Sequence, residues 1–289
     1  MHPRRRFSLP LPHGTTLVLG ERTLVMGIIN VTPDSFSDGG VLLDPIKAVD
    51  AGVRMADEGA DILDVGGEST RPGAPPLSAS EERARVLPVV AALAARVSIP
   101  ISVDTYKASI ADAVLDAGAA IINDVSGLRY EPALGEVVAR RQAAIVLMHL
   151  RGRSSDMYQQ ASYLEVVDEI RDELRESLAF ATRAGIAREA TIVDPGLGFA
   201  KEPAHSYEAL ARLHEFAELG RPILSGPSRK SFLSKAVGRT LAAAQRDWGT
   251  AAAVTASVLA GAHIVRVHAV SEMAQAVRVA DEIRKYHRA

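Results

Sequence analysis

Short runs of β-branched and aliphatic residues recur along the whole chain, and Ala-rich stretches separate them. The runs are continuously apolar, which is typical of parallel strands buried on both faces. They predict eight strands, at 24–31, 61–67, 99–105, 120–126, 143–150, 191–196, 222–228 and 264–270. Apolar stripes at helical spacing predict helices between them, at 45–58, 80–96, 108–117, 163–184 and 271–286. This alternation predicts an α/β fold of the closed (β/α)8 (TIM) barrel type, and a doubly wound open sheet is the alternative.

The length of 289 residues suits a single barrel of about 250 residues with a short extension. We therefore expect residues 24–289 to form the barrel and residues 1–23 to form an N-terminal extension. Residues 15–19 and 23–25 flank Gly20-Glu21, and we expect them to pair as a β-hairpin that caps the barrel floor.

Composition excludes several classes of protein. The chain has no cysteine, so disulfides, thiolate metal sites and cysteine nucleophiles are excluded. A formal net charge of -2 gives no sign of nucleic-acid binding, and no stretch approaches the roughly 20 apolar residues of a membrane span. Arginines near the N-terminus are not followed by the apolar run of a signal peptide. We expect a cytoplasmic protein that binds neither nucleic acid nor membrane.

Polar residues occur at the carboxyl ends of nearly all the predicted strands, where barrel enzymes place their chemistry. Several of them interrupt apolar runs, and burying an unpaired charge is costly. These residues predict a polar ligand site, and an internal salt-bridge network is the alternative. The strand ends carry Asn30, Glu68, Ser69, Thr70, Arg71, Asp104, Asn123, Asp124, Met148, His149, Asp194, Ser228, Arg229, Lys230, Arg266 and His268.

Strand alternation assigns faces to some of these residues, because residues two apart point the same way. Arg266 and His268 share a face, whereas His263 and His268 lie on opposite faces, which disfavours a protein-only zinc site. Asn123 and Asp124 cannot both face the lumen, and the alternation with Ile121 favours Asn123.

Two predicted loops, 31–40 and 66–76, exceed the usual length of about 2–6 residues and suggest lids over the site. Phe36 on the first lid suits a flat aromatic ligand, and Arg71 on the second suits an anion. The segment 225–231 lies where barrels often bind anions. It is not a nucleotide-binding P-loop, because Arg229 stands where that motif has glycine before Lys230.

The segments 26–40 and 66–73 together resemble the dihydropteroate synthase family. Further matches follow in the family's order at 102–105, 121–124, 194–198, 228–232 and 266–268, so the resemblance spans nearly the whole chain. One departure is the segment 152–159, which lacks the proline that the family has after Gly152.

The resemblance implies that 6-hydroxymethyl-7,8-dihydropterin pyrophosphate condenses with p-aminobenzoate, giving 7,8-dihydropteroate and pyrophosphate in folate biosynthesis. It also implies Mg²⁺ as cofactor, competition by sulfonamides and a homodimer formed through the later helices. Within the superfamily, a methyltetrahydrofolate-corrinoid methyltransferase and an inactive pterin-binding homologue are the alternatives.

The resemblance also assigns roles to residues. It implies catalysis by Asn30, Arg71, Asp104 and Lys230, with Asn30 as the metal ligand. The implied pterin-binding residues are Asp104, Asn123, Met148, Asp194, Phe199, Gly226 and Lys230. Pyrophosphate is assigned to Asn30, Thr70, Arg71, Arg266 and His268. The implied slot for p-aminobenzoate consists of Phe36, Thr70, Pro72 and Ser231.

Overall fold

A computed structural model describes residues 2, 4–32, 45–71 and 73–286. Its strands in chain order are β1 (Phe7–Pro10), β2 (Thr16–Leu19), β3 (Leu24–Asn30), β4 (Ile62–Gly66), β5 (Ile101–Asp104), β6 (Ile121–Asp124), β7 (Ala144–Met148), β8 (Thr191–Asp194), β9 (Leu224–Ser225) and β10 (Ile264–Val267). Strands β3 to β10 are parallel and pair in the order β8-β7-β6-β5-β4-β3-β10-β9. A single bridge between Val193 and Ile223 joins the two ends of this sheet. The predicted barrel is confirmed, and the open-sheet alternative is wrong.

The helices of the described residues pack around the outside of the barrel. They are α1 (Pro45–Asp57), α2 (Ala79–Ala94), α3 (Ala108–Asp116), α4 (Ala133–Arg140), α5 (Val166–Arg183), α6 (Pro203–Ala211), α7 (Phe232–Ala236), α8 (Asp247–Leu259) and α9 (Val270–Lys285). Helix α2 begins with a capping box, in which Ser78 and Glu81 each accept a hydrogen bond from the other's backbone N–H. None of the described helices combines the length and the hydropathy required to cross a bilayer.

Strand β9 is much shorter than the predicted strand 222–228. Pro222 and Pro227 flank it, and neither has a backbone N–H to donate to a neighbouring strand. Residues 226–231 therefore form a loop at the carboxyl end of the barrel. The other barrel strands lie within their predicted ranges and are shorter than predicted at one or both ends.

The N-terminal hairpin is present, but its predicted pairing is wrong. Strand β2 pairs with β1, with Phe7 opposite Leu19 and Pro10 opposite Thr16. Residues 24 and 25 instead belong to β3, because the N–H of Leu24 donates to the His263 carbonyl beside β10 (2.9 Å). The hairpin and the turn after β1 supply the buried residues Leu9, Leu11 and Leu19 to the inside of the barrel.

Candidate active site

The inward-facing row of side chains changes from apolar to polar along the barrel strands. Near the amino ends, these side chains pack with the hairpin leucines into one cluster, here called the floor: Leu9, Leu11, Leu19, Leu24, Met26, Ile62, Ile121, Ala144, Val146, Ile192, Leu224 and Ile264. Because alternate residues share a face, the same row continues toward the carboxyl ends as a ring, here called the mouth. The mouth consists of Asn30, Asp64, Asp104, Asn123, Met148, Asp194, Gly226, Arg266 and His268.

Arg266 lies at the centre of the mouth and binds two carboxylates. Its Nε donates to Oδ2 of Asp64 (2.6 Å), and its Nη2 donates to Oδ2 of Asp104 (2.9 Å). Asn123 also donates from Nδ2 to Oδ2 of Asp64 (3.0 Å), so it faces inward, as the alternation with Ile121 predicts. An internal salt-bridge network therefore does exist, and it lies within the polar ring.

Asp64 is a buried member of the mouth that the sequence analysis missed. It is fully buried, whereas the side chain of Asp104 is 12% exposed. A signal for Asp64 is present in the sequence, because it interrupts an apolar run two residues after Ile62 and so shares that residue's face. Asp124 has a different role: its carboxylate accepts hydrogen bonds from the N–H groups of Ser126 and Leu128 and shapes the loop.

The carboxyl group of Asp104 lies in a strongly perturbed environment. Burial raises its pKa above the ordinary value, and the nearby carboxylates of Asp64 and Glu82 raise it further. Arg266 and Lys230 oppose this shift. Perturbed carboxyl groups in a cleft are frequent at functional sites, so Asp104 is a strong candidate for a chemical role.

Asp194 belongs to the mouth, and Lys230 of the loop after β9 lies close enough to influence its pKa. Burial raises the pKa of Asp194 to about 6, although the N–H of Gly196 donates to its Oδ1 (2.7 Å). Burial lowers the pKa of Lys230 to about 7, and Arg266 lowers it further. The ammonium of Lys230 lies 3.4 Å from the centroid of the Phe199 ring.

An opening and an apolar wall lie beside these charges. A methyl group on Gly226 would lie 3.8 Å from Cβ of Arg266 and 3.9 Å from Oδ2 of Asp194, so glycine keeps the space between them open. Met148 and Met157 belong to a buried cluster against which Phe199 packs. A pocket with carboxylates, an amide and a cation beside apolar side chains suits a flat heterocycle with several hydrogen-bonding atoms.

His268 lies on the cationic side of the mouth. Burial lowers its pKa to about 3, and Arg229, Arg266, Lys230 and Arg71 lower it further, so its ring is neutral at physiological pH. Its Nδ1 lies 2.9 Å from Oγ of Ser228, which also accepts the backbone N–H of His268 (3.1 Å). His263 lies apart from this group, because its Nδ1 accepts the N–H of Ile223.

The loop after β9 orients its two basic residues differently. Arg229 makes a bidentate ion pair with Asp247 (2.7 and 2.8 Å), whereas Lys230 is directed toward the mouth. Ser231 follows directly and precedes α7.

The described part of the second lid is anchored at its base. The carboxylate of Glu68 accepts hydrogen bonds from the Tyr106 hydroxyl (3.1 Å) and the N–H of Leu77 (3.3 Å) and forms an ion pair with Lys107. Thr70 is half-buried and Arg71 is exposed above this base. Two of the predicted p-aminobenzoate contacts, Phe36 and Pro72, lie outside the described residues.

Asn30 is the predicted metal ligand. A methyl group on Gly66 would lie 3.9 Å from Oδ1 of Asn30 and 3.5 Å from Cβ of Asp104, so the two side chains flank Gly66 from its two neighbouring strands. Within the described ranges, no group of three His, Asp or Glu side chains is arranged to hold a metal. A single amide oxygen fits Mg²⁺ only where the ion keeps water ligands and takes others from a phosphate-bearing substrate.

The fold and the mouth define a barrel enzyme that binds small polar molecules at the carboxyl ends of its strands. The family model for pterin binding enzymes matches residues 26–268. The dihydropteroate synthase of Synechocystis sp. is 44% identical, over 96% of each chain. The Yersinia pestis dihydropteroate synthase in a sulfonamide complex has a TM-score of 0.90 at 39% identity and covers 96% of this chain and 100% of its own. The Xanthomonas albilineans enzyme in complex with 7,8-dihydropteroate has a TM-score of 0.85, with the same identity and coverage.

The chain therefore belongs to the pterin-binding enzyme family and, within it, to the dihydropteroate synthases, which are transferases of folate biosynthesis. These matches favour the synthase over the corrinoid methyltransferase alternative.

Proposed function

We propose that the mouth binds 6-hydroxymethyl-7,8-dihydropterin pyrophosphate and p-aminobenzoate and joins them into 7,8-dihydropteroate with release of pyrophosphate. The observation that carries this proposal is the convergence of Asp104, Asn123, Asp194 and Lys230 around Arg266 at the carboxyl end of the barrel. The product complex of the Xanthomonas albilineans relative supports the same pair of ligand halves.

The pterin ring suits the hydrogen-bonding groups of the mouth. Its 2-amino group and neighbouring ring N–H are adjacent donors, and an ionised Asp194 can accept both. Asn123 keeps its Oδ1 and one amide hydrogen available, because only one hydrogen is donated to Asp64. Lys230 then faces the ring's oxygen or nitrogen, and Met148 and Phe199 cover apolar faces of the ring.

In the reaction, the bond between the pterin methylene carbon and the pyrophosphate oxygen breaks, and its electron pair leaves with pyrophosphate. The amine nitrogen of p-aminobenzoate forms the new bond to that carbon and then loses a proton to solvent. Asp104 is the carboxylate best placed to stabilise the positive charge that develops on the pterin methylene. Arg266 keeps Asp104 in place through its 2.9 Å hydrogen bond.

Asn30, Thr70, Arg71, Arg266 and His268 are the proposed contacts of the leaving pyrophosphate. Because Oγ of Ser228 accepts the backbone N–H of His268, its own proton can be donated to Nδ1, which leaves a proton on Nε2. Neutral His268 then donates a hydrogen bond to the anion, while Arg71 and Arg266 supply charge. Asn30 would hold Mg²⁺ through Oδ1, and the bound ion would neutralise part of the pyrophosphate charge.

The second substrate is assigned to a slot beneath the lids. Thr70 and Ser231 are its proposed described contacts, with the hydroxyl of Ser231 available to the carboxylate of p-aminobenzoate. Phe36 and Pro72 complete the proposed slot. Sulfonamides, which resemble p-aminobenzoate, are expected to compete there, and the Yersinia pestis relative is known in such a complex.

The decisive experiment incubates the protein with both substrates and Mg²⁺ and follows dihydropteroate by mass spectrometry. We expect product to accumulate together with pyrophosphate, and the absence of product would reject the proposed reaction. Adding excess chelator tests the metal separately: turnover should fall, and undiminished turnover would remove Mg²⁺ from the proposal.

We also propose that residues 1–23 cap a single barrel of residues 24–289 and that the active form is a cytoplasmic homodimer formed through the later helices. Trp248 at the start of α8 is 90% exposed, and Val279 and Ile283 of α9 and Tyr286 directly after it are also exposed. Exposed apolar side chains of this kind commonly mark protein interfaces. Sedimentation of the wild type and of Trp248→Glu tests this, since a monomeric wild type would contradict it.

A further inference from the structure

The turn that follows β8 carries two proposed pterin contacts, Asp194 and Phe199, and is held by side-chain donors. Tyr158 donates its hydroxyl to the carbonyl of Gly198 (3.3 Å), and Tyr163 donates to the carbonyl of Ala200 (2.8 Å). Between them, Nζ of Lys201 donates to the carbonyl of Phe199 (3.1 Å). Three successive carbonyl groups of the turn are thus fixed, one of them by a cation.

Lys201 also connects this turn to the end of β7. Its side chain is among the most buried in the described chain, and Nζ lies 2.9 Å from Nδ1 of His149. Burial lowers the pKa of His149 to about 3, so the neutral ring accepts a hydrogen bond at Nδ1. Its Nε2 lies 3.2 Å from a carboxylate oxygen of Glu173 but outside hydrogen-bond geometry. The backbone N–H of His149 in turn donates to the Asp194 carbonyl (2.9 Å).

A buried ammonium group is an expensive way to hold a turn, since an apolar side chain would fill the same space at lower cost. Burial lowers the pKa of Lys201 to about 7, although Asp194 and Glu173 favour its charged form. Lys201 is therefore a cation below neutral pH, which includes the range in which Asp194 titrates. Its charge lowers the pKa of Asp194, in addition to the charges of Lys230 and Arg266.

We infer that Lys201 is a positioning residue for the pterin half of the site: it fixes Phe199 through that residue's carbonyl and places a cation near Asp194. This inference rests on the proposed function, because it takes Asp194 as the carboxylate that reads the pterin. Lys201 does not touch the substrate and acts through these two residues.

The charge of Lys201 should affect the pH dependence of pterin binding. The groups that lower the pKa of Asp194 are the N–H of Gly196 and the cations Lys230, Arg266 and Lys201. Removing Lys201 leaves the other three in place and raises the pKa of Asp194. Since ionised Asp194 accepts the pterin N–H groups, the acid limb of pterin binding should move to higher pH.

The test compares Lys201→Met, Lys201→Gln and Tyr163→Phe with the wild type, after thermal melts confirm folding. Lys201→Met should raise KM for the pterin substrate about tenfold, while KM for p-aminobenzoate stays within about twofold. The acid limb of kcat/KM for the pterin should move up by about half a pH unit or more. Lys201→Gln keeps a hydrogen-bond donor but not the charge. Its KM for the pterin should therefore lie between those of Lys201→Met and the wild type, whereas its acid limb should be shifted as far as that of Lys201→Met.

Tyr163→Phe is the matched neutral control, because it removes the donor to the adjacent carbonyl and leaves every charge in place. It should raise KM for the pterin by a smaller factor and leave the acid limb unmoved. Lys285→Met on α9 removes an exposed lysine and should change neither quantity.

A folded Lys201→Met or Lys201→Gln enzyme with wild-type KM and acid limb would overturn the inference. So would an equal rise in both KM values, which indicates general disruption of the site. Asp194→Asn separates this failure from failure of the proposed function. If Asp194→Asn also leaves KM for the pterin unchanged, the pterin assignment itself is wrong.

Discussion

The floor and the mouth of the barrel are formed by the inward faces of the same strands, yet the floor supports the fold and the mouth forms the candidate active site. The floor is an apolar cluster into which the hairpin inserts Leu9 and Leu19. The mouth, two residues farther along most strands, holds the buried carboxylates of Asp64 and Asp194, the half-buried carboxylate of Asp104 and the half-buried guanidinium of Arg266. Position along the strand therefore decides whether an inward side chain supports folding or function, so substitutions in the two regions should have separable effects.

The largest effect is expected for Asp104→Asn in the mouth. Loss of the negative charge beside the reacting carbon should lower kcat by about 10²–10³-fold, since electrostatic stabilisation of the transition state is lost. The melting temperature should not fall, because burial already disfavours this charge. Steady-state kinetics and thermal melts measure both quantities. Asp116→Asn, at an exposed carboxylate of α3, is the control and should leave both unchanged.

In the floor, Leu19→Ala should lower the free energy of unfolding by about 2–5 kcal/mol through loss of buried surface and creation of a cavity. Leu19 is fully buried between the hairpin and the barrel. Its strand neighbour Val18 is half exposed, so Val18→Ala should cost about 0.5 kcal/mol or less in urea unfolding. At temperatures where Leu19→Ala remains folded, a large loss of kcat would contradict the separation of floor and mouth.

The pH dependence of stability should also differ between His263, beside the N-terminal extension, and Asp194 of the mouth. His263 ties the N-terminal extension to the barrel, with Nε2 bonded to the Arg5 carbonyl (3.0 Å). Burial lowers its pKa to about 4, so its contribution is full above the unfolded value of 6.5 and is lost as pH falls toward 4. This loss amounts to roughly 3 kcal/mol. In His263→Gln, the fall in melting temperature between pH 7 and 4 should be smaller, and an unchanged pH profile would argue against this linkage.

The contribution of Asp194 to stability should depend on pH in the opposite direction to that of His263. The folded pKa of Asp194, about 6, exceeds the unfolded 3.8, so its contribution to stability is present at low pH and is lost as pH rises through this range. Asp194→Asn should therefore stabilise the fold at pH 7 by about 1–2 kcal/mol, with little effect at pH 3.5, although it impairs pterin binding. Melting curves at the two pH values test this, and destabilisation at pH 7 would show that the charge supports the fold.

The sequence was sufficient for the barrel because buried parallel strands carry a strong local pattern, which placed every barrel strand. The prediction of the hairpin pairing failed because residues 23–25 are as strand-like in sequence as Phe7–Pro10. Only the pairing of Leu24 and Val25 with β10 assigns them to the barrel. Alternation along β6 predicted that Asn123 faces inward, and applied to β4 it would also have found Asp64.

Lys201 could not have been found in the same way. It follows a turn without periodicity, and its burial depends on His149, which lies 52 residues away in the chain. The roles of Thr70 and Arg71 also depend on contacts with bound substrate. Such features arise from tertiary packing and ligand binding, which no local pattern encodes.

The closure of the barrel between β8 and β9 has a consequence for its motions. One bridge, which includes the hydrogen bond from Val193 N–H to the Pro222 carbonyl (3.0 Å), joins these strands, whereas β3 and β4 pair over five residues. Local opening requires the least free energy where the fewest hydrogen bonds must break, so the cylinder should part first along this seam. Amide exchange at Val193 should then be faster than at Leu63. Asp194 and Lys230 lie on opposite sides of the seam, so opening it would separate the two sides of the proposed pterin site without unfolding the rest of the barrel.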